Sequence, residues 1–156
     1  MALVAIALGS NLGDRAAHLA SGGAALRLII PDVVISSFIE TEPVAAELQP
    51  WFLNGAATGH WHGDAPALLA HLLRIERLAG RERPRPGAPR TLDLDLILFG
   101  DAIIDSPFLT VPHPRFRDRV FVLQPLSQIA SDMCDPVTGS TVGELWRMLK
   151  DVQRCA

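Results

Sequence analysis

Two carboxylates that lie two positions apart, Asp93 and Asp95, are the residues of this sequence best suited to chemistry. They alternate with leucines in Leu92-Asp93-Leu94-Asp95-Leu96, so a strand over 91–99 would carry both carboxylates on one face. Adjacent carboxylates repel each other, and a shared Mg²⁺ would relieve that repulsion, since Mg²⁺ takes one or two protein carboxylates plus phosphate and water. The alternative is a polar strand face that simply meets solvent.

Arginine is concentrated on both sides of this strand. Of the 14 basic residues only Lys150 is not arginine, and the stretch 74–90 holds six arginines against Glu76 and Glu82. A second basic cluster, His113, Arg115, Arg117 and Arg119, follows the strand. Guanidinium groups bind phosphate oxygens in pairs, so metal-binding carboxylates beside arginines indicate phosphoryl-type transfer. The alternative for the arginines is a solvated surface.

Length and composition predict a single globular domain over residues 1–156, with 49% hydrophobic and 20% charged residues. The net charge of -3 gives the whole chain no general attraction for nucleic acid or for an anionic membrane. The apolar run 2–8 has no basic leader and is too short to span a bilayer, so we interpret it as a buried strand and expect a cytoplasmic protein. Cys134 and Cys155 have no neighbours at zinc-ligand spacing, and we expect no chemistry from them.

Hydrophobic periodicity and turn residues predict an α+β fold. The predicted elements are a strand over 2–8, a helix over 12–26, strands over 33–41 and 52–61, a helix from Asp64 to Gly80, a strand over 91–99 that turns at Gly100-Asp101 into a short partner strand over 102–104, a helical region over 118–130 interrupted at Pro125, and a last helix from a capping box at Thr141 to Lys150. This order predicts a ferredoxin-like βαββαβ core with a C-terminal hairpin strand and a helical extension.

A flat heterocycle would find suitable contacts at three residues. Phe52 and Phe121 offer ring faces, and Asn54 offers an amide that can both donate and accept hydrogen bonds. Core packing for the rings and a turn for Asn54 are the alternatives. His113 lies between two prolines and is a candidate for hydrogen bonding to a phosphate. The loop Gly9-Ser-Asn-Leu-Gly13 matches neither the P-loop nor the dinucleotide-binding pattern.

Several segments together resemble the 6-hydroxymethyl-7,8-dihydropterin pyrophosphokinases of folate biosynthesis, over nearly the whole chain. The segments that carry the resemblance are Gly9-Ser-Asn-Leu-Gly13, Thr41-Glu-Pro43, Phe52-Leu-Asn54, Arg74-Ile-Glu76, Pro89-Arg-Thr-Leu-Asp-Leu-Asp95, Val111-Pro-His113 and Arg119-Val-Phe121. Pro-Arg-Thr-Leu-Asp-Leu-Asp followed by Pro-His is the most specific of them. The chain departs from the family in Arg85-Pro-Gly-Ala-Pro-Arg90, where members commonly carry Arg-Trp-Gly-Pro-Arg.

The resemblance implies transfer of pyrophosphate from ATP to the pterin alcohol, which releases AMP and uses two Mg²⁺ ions held by Asp93 and Asp95. It implies an ATP-binding set made of Arg81, Arg83, Arg90, Leu96, Thr110, His113 and Arg119, in which Arg81 and Arg90 are catalytic. It implies a pterin-binding set made of Thr41, Pro43, Val44, Phe52, Asn54, Asp93 and Phe121, with the two Phe rings on either side of the heterocycle. We expect a monomer that binds these small molecules and neither nucleic acid nor membrane.

Two other functions fit parts of the sequence. One is a ferredoxin-like RNA- or nucleotide-binding module that uses the Arg-rich loop without catalysis. The other is an ATP-using enzyme of another class, such as a nucleotidyl transferase with the same two-metal logic.

Overall fold

The computed structural model describes residues 1–42, 50–80 and 90–154. Seven strands and four α-helices are found in these residues: β1 (Ala2–Ser10), α1 (Arg15–Ile29), β2 (Val34–Ile35), β3 (Ile39–Thr41), β4 (Phe52–Trp61), α2 (Ala65–Leu78), β5 (Asp93–Phe99), β6 (Ile104–Asp105), β7 (Thr110–Val111), α3 (Val120–Ala130) and α4 (Val142–Arg154), with a 3₁₀ turn at Phe116–Asp118. In this part of the chain no helix is both long enough and apolar enough to cross a membrane.

The main sheet is antiparallel and has the order β2-β4-β1-β5, with β3 also paired to β4. The chain is therefore α+β, as the sequence predicts. The central strand β1 pairs along its whole length with β4, from Ala2 opposite Trp61 to Ser10 opposite Leu53. On its other side β1 pairs with β5, with a bulge that shifts the register between Ala5 and Ile6.

Helices cover both faces of the sheet, because side chains along a strand alternate between faces. The first core lies between the sheet and α1 and α2, and it contains Val4, Ile6 and Leu8 of β1. The second core contains Ala5 and Ala7 together with residues of α3 and α4. A nearly continuous apolar strand such as β1 is what burial on both faces requires.

Helix α2 begins where the sequence predicts. The Asp64 carboxylate accepts a hydrogen bond from the Ala67 N–H at 2.8 Å, and Pro66 lies in the first turn, where its missing N–H costs nothing. Leu68 and Leu72, one turn apart, are fully buried against the sheet. This face of α2 therefore supports β5, which carries Asp93 and Asp95.

Three details of the predicted elements are wrong. The segment 102–104 does not pair with β5, because Ile104 pairs with Val111 in a separate two-stranded sheet. Residues beyond this hairpin return beside β5 instead, and the His113 N–H donates to the Ile97 carbonyl at 2.9 Å. Helix α3 runs through Pro125 without interruption, so only the Phe121 carbonyl loses its helical donor. Helix α4 continues one turn beyond Lys150, to Arg154.

A buried ion pair joins the 3₁₀ turn to the connection between α3 and α4. The Asp135 carboxylate is fully buried and accepts hydrogen bonds from Arg117 Nε at 2.6 Å and Arg117 Nη2 at 2.9 Å. Thr138 Oγ1 and the Val137 N–H donate to the same carboxylate at 2.7 and 3.1 Å. Burial opposes ionisation, but these hydrogen bonds outweigh it and hold the pKa of the Asp135 carboxyl below its usual value.

The lowered pKa predicts how the stability contribution of Asp135 depends on pH. A depressed carboxyl pKa stabilises the folded state above the unfolded pKa of about 4, and this contribution is lost as pH falls through the folded pKa. Asp135→Asn should therefore lower the free energy of unfolding by about 3 kcal/mol at pH 7, and by less below about pH 4. Denaturant titrations across pH 3–7 measure this, with the exposed Asp151→Asn as a control that stays within about 0.5 kcal/mol of wild type. A gap that stays constant down to pH 3 would contradict the assignment.

Candidate active site

The predicted site residues meet on one face of the sheet, around Gly9 of β1. Gly9 lies opposite Asn54 of β4 on one side and opposite Asp93 of β5 on the other. Residues directly opposite each other in antiparallel strands point to the same face. Asp95 lies opposite Ala7, whose side chain belongs to the second core. Both carboxylates and Asn54 therefore project on the side of the sheet that α3 and α4 cover farther along the strands.

Arg90 and Asp93 form an ion pair at the start of β5. Arg90 Nη1 donates to Asp93 Oδ2 at 2.9 Å, and the side chains are 29% and 15% exposed. Because both side chains are partly exposed, each group remains accessible to a ligand. Each group also sets the orientation of its partner in the ion pair. The structure thus joins a predicted catalytic arginine to a predicted metal ligand.

Thr41, Phe52 and Asn54 form the opposite side of this face. Thr41 pairs with Phe52 in the sheet, and Asn54 Nδ2 donates to Thr41 Oγ1 at 2.5 Å, which sets the orientation of the amide. A Cβ at Gly9 would lie 2.9 Å from Asn54 Oδ1 and 3.5 Å from Phe52 Cδ1. A side chain at position 9 would therefore displace the Asn54 amide, whereas its contact with the Phe52 ring would be an ordinary van der Waals contact.

His113, Arg119 and Phe121 lie on the segment that follows the small hairpin. The guanidinium of Arg119 lies over the Phe121 ring, with Cζ 5.3 Å from the ring centroid. The pKa of His113 is lowered to about 4, mainly by burial and also by the positive charges of Arg119 and Arg115, while the negative charge of Asp93 acts in the opposite direction. His113 is therefore uncharged at neutral pH and lies within the electrostatic reach of both Arg119 and Asp93.

Asn11 is a site residue that the sequence reasoning missed. Its side chain is almost fully buried; Oδ1 accepts a hydrogen bond from the Arg90 N–H at 2.8 Å, and Nδ2 donates to the Pro50 carbonyl at 3.2 Å. The Asn11 N–H also donates to the Arg90 carbonyl at 3.0 Å. Asn11 thus anchors the backbone at the position where β5 is about to begin. The signal in the sequence was a polar residue inside the glycine-bounded loop at the end of an apolar strand.

Glu76 is the second residue with an unassigned role. It is 2% exposed, and its Oε2 accepts a hydrogen bond from the Leu94 N–H at 2.9 Å, between the two aspartates of β5. The outer edge of β5 is therefore held by a carboxylate from α2. In the sequence, Glu76 follows Leu68 and Leu72 at four-residue spacing, so it occupies a position of α2 that faces the core.

The donor chemistry of this face fits Mg²⁺ rather than a metal that needs a full protein cage. Within residues 1–42, 50–80 and 90–154, no group of three or more His, Cys, Asp or Glu side chains could hold a metal ion. Asp93 and Asp95 supply two carboxylates, and Mg²⁺ typically completes its octahedral shell with phosphate oxygens and water. A site of this kind would be completed by a phosphorylated substrate.

The remaining predicted residues have different outcomes. Leu96 is 4% exposed and its side chain packs in the first core, so only its backbone faces the strand edge. Thr110 is exposed on β7. Arg117, one of the basic residues after the strand, is paired with Asp135 rather than directed at the site. Four predicted residues lie outside the described part of the chain: Pro43, Val44, Arg81 and Arg83.

The neutral state of His113 can be observed directly. In the metal-free and nucleotide-free protein, the ring resonances of His113 should stay at their neutral positions from pH 8 to about pH 5, since burial and Arg119 lower its pKa to about 4. NMR titration measures this, and the signal that disappears in His113→Asn identifies the residue. A midpoint near pH 6.5 would show that the ring is solvated and distant from Arg119.

The anchoring role of Asn11 can be tested with two substitutions that separate its hydrogen bonds. Asn11→Ala leaves the Arg90 N–H without its acceptor and should lower the free energy of unfolding by about 2 kcal/mol. It should also speed hydrogen exchange at the Arg90 amide. Asn11→Asp keeps the acceptor but loses the donor to Pro50, so the Arg90 amide should stay protected. Equal exchange rates in the two variants would contradict this assignment.

Comparison with known proteins gives the same family as the one that the sequence segments resemble. Residues 5–131 match the family model of 7,8-dihydro-6-hydroxymethylpterin-pyrophosphokinase (HPPK). Relatives named 2-amino-4-hydroxy-6-hydroxymethyldihydropteridine pyrophosphokinase occur in Synechocystis sp., 39% identical over 90% of this chain and 72% of the relative, and in Bacillus subtilis, 41% identical over 82% and 78%. The relative from Haemophilus influenzae is 37% identical over 94% of this chain and 92% of its own length.

Solved structures agree on the fold. A crystal structure described as HPPK-DHPS in complex with substrates has a TM-score of 0.74 at 11% identity, and it covers 98% of this chain. The Plasmodium falciparum HPPK-DHPS with pterin and p-hydroxybenzoate has a TM-score of 0.74 at 15% identity. This chain spans 44% and 43% of the length of those two chains. The match over residues 5–131 and the relatives at 37–41% identity show that the chain belongs to the HPPK family.

Proposed function

We propose that this chain transfers the pyrophosphoryl group of ATP to the hydroxymethyl oxygen of 6-hydroxymethyl-7,8-dihydropterin, as part of folate biosynthesis. The observation that carries the proposal is the arrangement around Gly9, where a carboxylate pair and an oriented amide occupy opposite sides of one strand. Carboxylates suit metal-bound phosphate, and the amide suits a heterocycle. The family membership of the chain supports the same reaction.

Asp93 and Asp95 would hold two Mg²⁺ ions, and Asp93 would also face the pterin alcohol. Both carboxylates lie on the same side of β5, and Glu76 and Asn11 hold the strand and its start in place. Mg²⁺, when bound, neutralises charge on the phosphate oxygens of ATP. The contribution of the protein is the rigid spacing of the two carboxylates along β5.

The ATP phosphates would be bound by Arg90, His113 and Arg119, with the Leu96 backbone and Thr110 nearby. Arg90 is a catalytic candidate because its guanidinium already contacts Asp93 and can bridge between the metal site and a phosphate oxygen. His113 is neutral, so it would bind a phosphate through a hydrogen bond without adding charge. Arg81 and Arg83, also predicted for the phosphates and in the case of Arg81 for catalysis, remain predictions outside the described residues.

The pterin ring would lie between the rings of Phe52 and Phe121, with its polar edge at Asn54. Thr41 orients the Asn54 amide, so the pocket is prepared before the ligand binds. Arg119 over Phe121 places a cation next to one wall of the pocket, which links the pterin side to the phosphate side. Pro43 and Val44 complete the predicted pocket and lie outside the described residues.

The reaction needs positioning more than covalent catalysis. The hydroxymethyl oxygen attacks the β-phosphorus of ATP, the bond from that phosphorus to the oxygen bridging the α-phosphate breaks, and AMP leaves with the electron pair. The hydroxyl proton passes to solvent, and no covalent enzyme intermediate forms. The chain holds the two reactants on one face and supplies fixed positive charge from Arg90 and Arg119.

We further propose a ferredoxin-like core for the fold, since β1, α1, β2–β3, β4, α2 and β5 follow the βαββαβ order with antiparallel pairing. We also propose that the chain acts as a monomer. A cytoplasmic location is consistent with the exposed thiol of Cys134, which would persist in a reducing compartment. Residues 1–156 would then form one pyrophosphokinase domain.

Two rival functions are less well supported. An RNA-binding module would present several aromatic rings on the sheet, whereas the ring of Phe52 shares its sheet face with Asp93 and Asp95, which repel phosphate in the absence of a metal. A nucleotidyl transferase would use the same metal logic but would release pyrophosphate. The released nucleotide therefore distinguishes the three functions.

The proposed reaction predicts that AMP forms only when the pterin alcohol is present. The protein is incubated with ATP, Mg²⁺ and 6-hydroxymethyl-7,8-dihydropterin, and the nucleotides are separated by chromatography. Asp93→Ala and Asp95→Ala should each lower kcat by a factor on the order of 10² or more, because each removes a carboxylate that carries metal.

Asp105→Asn, on the exposed strand β6, is the matched control and should keep the wild-type rate. Release of ADP or of free pyrophosphate by the wild-type protein would overturn the proposed function. If the Asp93→Ala/Asp95→Ala double variant kept the wild-type turnover, the proposed metal site at these two residues would be wrong. The proposed substrates would not be refuted by that result.

A further inference from the structure

Arg117 and Asp135 are not among the predicted site residues, yet they form an ion pair whose hydrogen bonds have a closely defined geometry. Arg117 uses Nε and Nη2 as a fork on the two carboxylate oxygens of Asp135, and Thr138 and the Val137 N–H donate to the same group. The Asp135 side chain is fully buried, and the Arg117 side chain is 24% exposed. A fork of this kind restrains both the position and the plane of the guanidinium.

Arg117 lies in the middle of the segment that carries the predicted phosphate ligands. We call residues 113–119 the phosphate arc. At its start the His113 N–H is bonded to Ile97 of β5, and Phe116 is fully buried in the second core. The Arg119 N–H donates to the Phe116 carbonyl at 3.3 Å, so the 3₁₀ turn leads directly into Arg119. The arc is therefore held by β5 at one end and by the second core and Arg117 beyond it.

The partner of Arg117 belongs to a turn that is itself tightly organised. The Asp135 N–H donates to the Ser140 carbonyl, and the Gly139 N–H donates to the Asp135 carbonyl, each at 2.8 Å. Val142 at the start of α4 is bonded back to the Met133 carbonyl at 2.8 Å. The Arg117 fork thus connects the arc to the hydrogen-bonded turn between α3 and α4.

We infer that Arg117 and Asp135 are positioning residues, which orient His113 and Arg119 toward the phosphates of ATP by fixing the phosphate arc against the α3–α4 turn. This inference rests on the proposed function. Arg117 itself does not touch the nucleotide, because its guanidinium is engaged with Asp135. Thr41, Phe52 and Asn54 of the proposed pterin pocket lie on other strands, and only Phe121 of the described pterin contacts follows the arc directly, so the pair should act on ATP more than on the pterin.

A purely stabilising pair would behave differently from a positioning pair. Replacement of a buried ion pair by apolar side chains often leaves stability unchanged, whereas it removes the directional hydrogen bonds that set an orientation. The two roles are therefore separable by measuring stability and ATP affinity in the same variants. The pKa shifts agree with a strong pair, since the pKa of Arg117 is raised by its hydrogen bond to Asp135.

The test uses the full chain and three variants. Arg117→Met should weaken binding of a non-hydrolysable ATP analogue with Mg²⁺ by about tenfold, measured by calorimetry, and should raise the KM for ATP similarly. The KM for the pterin alcohol should change less than about threefold. Arg117→Lys, which keeps the charge without the fork, should fall between Arg117→Met and wild type. Arg117→Met/Asp135→Leu should restore the melting temperature but not the ATP affinity.

Leu145→Ala is the matched control, since Leu145 is a buried apolar residue of the second core, 6% exposed, whose side chain cannot hydrogen bond to Arg117 or Asp135. It should lower the melting temperature and leave the ATP analogue affinity at the wild-type value. If Arg117→Met and Leu145→Ala have the same ATP affinity, or if the double variant restores it, the positioning role is wrong. If the wild-type protein forms AMP and all variants bind the ATP analogue as tightly as it does, only this inference is refuted. If the wild-type protein neither binds the analogue nor forms AMP, the proposed function is refuted as well.

Discussion

The antiparallel pairing of β1 with both β4 and β5 is the constraint on which the site depends. Because opposite residues share a face, the register that places Gly9 between Asn54 and Asp93 also decides which side chains can meet a common ligand. A shift of one residue in either pairing would turn Asp93 or Asn54 toward the first core. The alternation of leucine and aspartate in β5 opposes such a shift, since a shift would turn carboxylates toward the first core in place of Leu94 and Leu96.

The site lies where helical cover of the sheet ends. Ala5 and Ala7 are covered by the helices of the second core, whereas Gly9, two residues farther along the same face, carries no side chain. Because Gly9 has no side chain, the Asn54 amide and the Phe52 ring lie close to the backbone of β1. The same face thus changes over a few residues from packed core to the proposed binding surface, which would let a rigid sheet support ligand contacts.

Charged groups in this protein are held mainly by neighbours that set their direction. Arg90 is oriented by Asp93, while its backbone is held by Asn11, and Arg117 is oriented by Asp135. Of these groups, Arg90 and Asp93 lie beside Gly9 at the proposed site, whereas Arg117 is paired with a fully buried carboxylate. Proximity in the sequence to a carboxylate strand therefore did not distinguish a ligand-binding arginine from a structural one, because the partner of Arg117 lies 18 residues away.

The sequence determined the features that depend on local spacing. Alternation in 91–99 predicted a strand with both aspartates on one face, Asp64 and Pro66 predicted the start of α2, and the order of elements predicted the α+β class. Tertiary structure decided the features that depend on competing partners. Residues 102–104 could pair with β5 or with the strand that follows, and the return of His113 beside β5 decided between them. The roles of Asn11, Glu76 and Asp135 depend on backbone or side-chain groups far away in the chain, and such contacts leave no periodic signal in a single sequence.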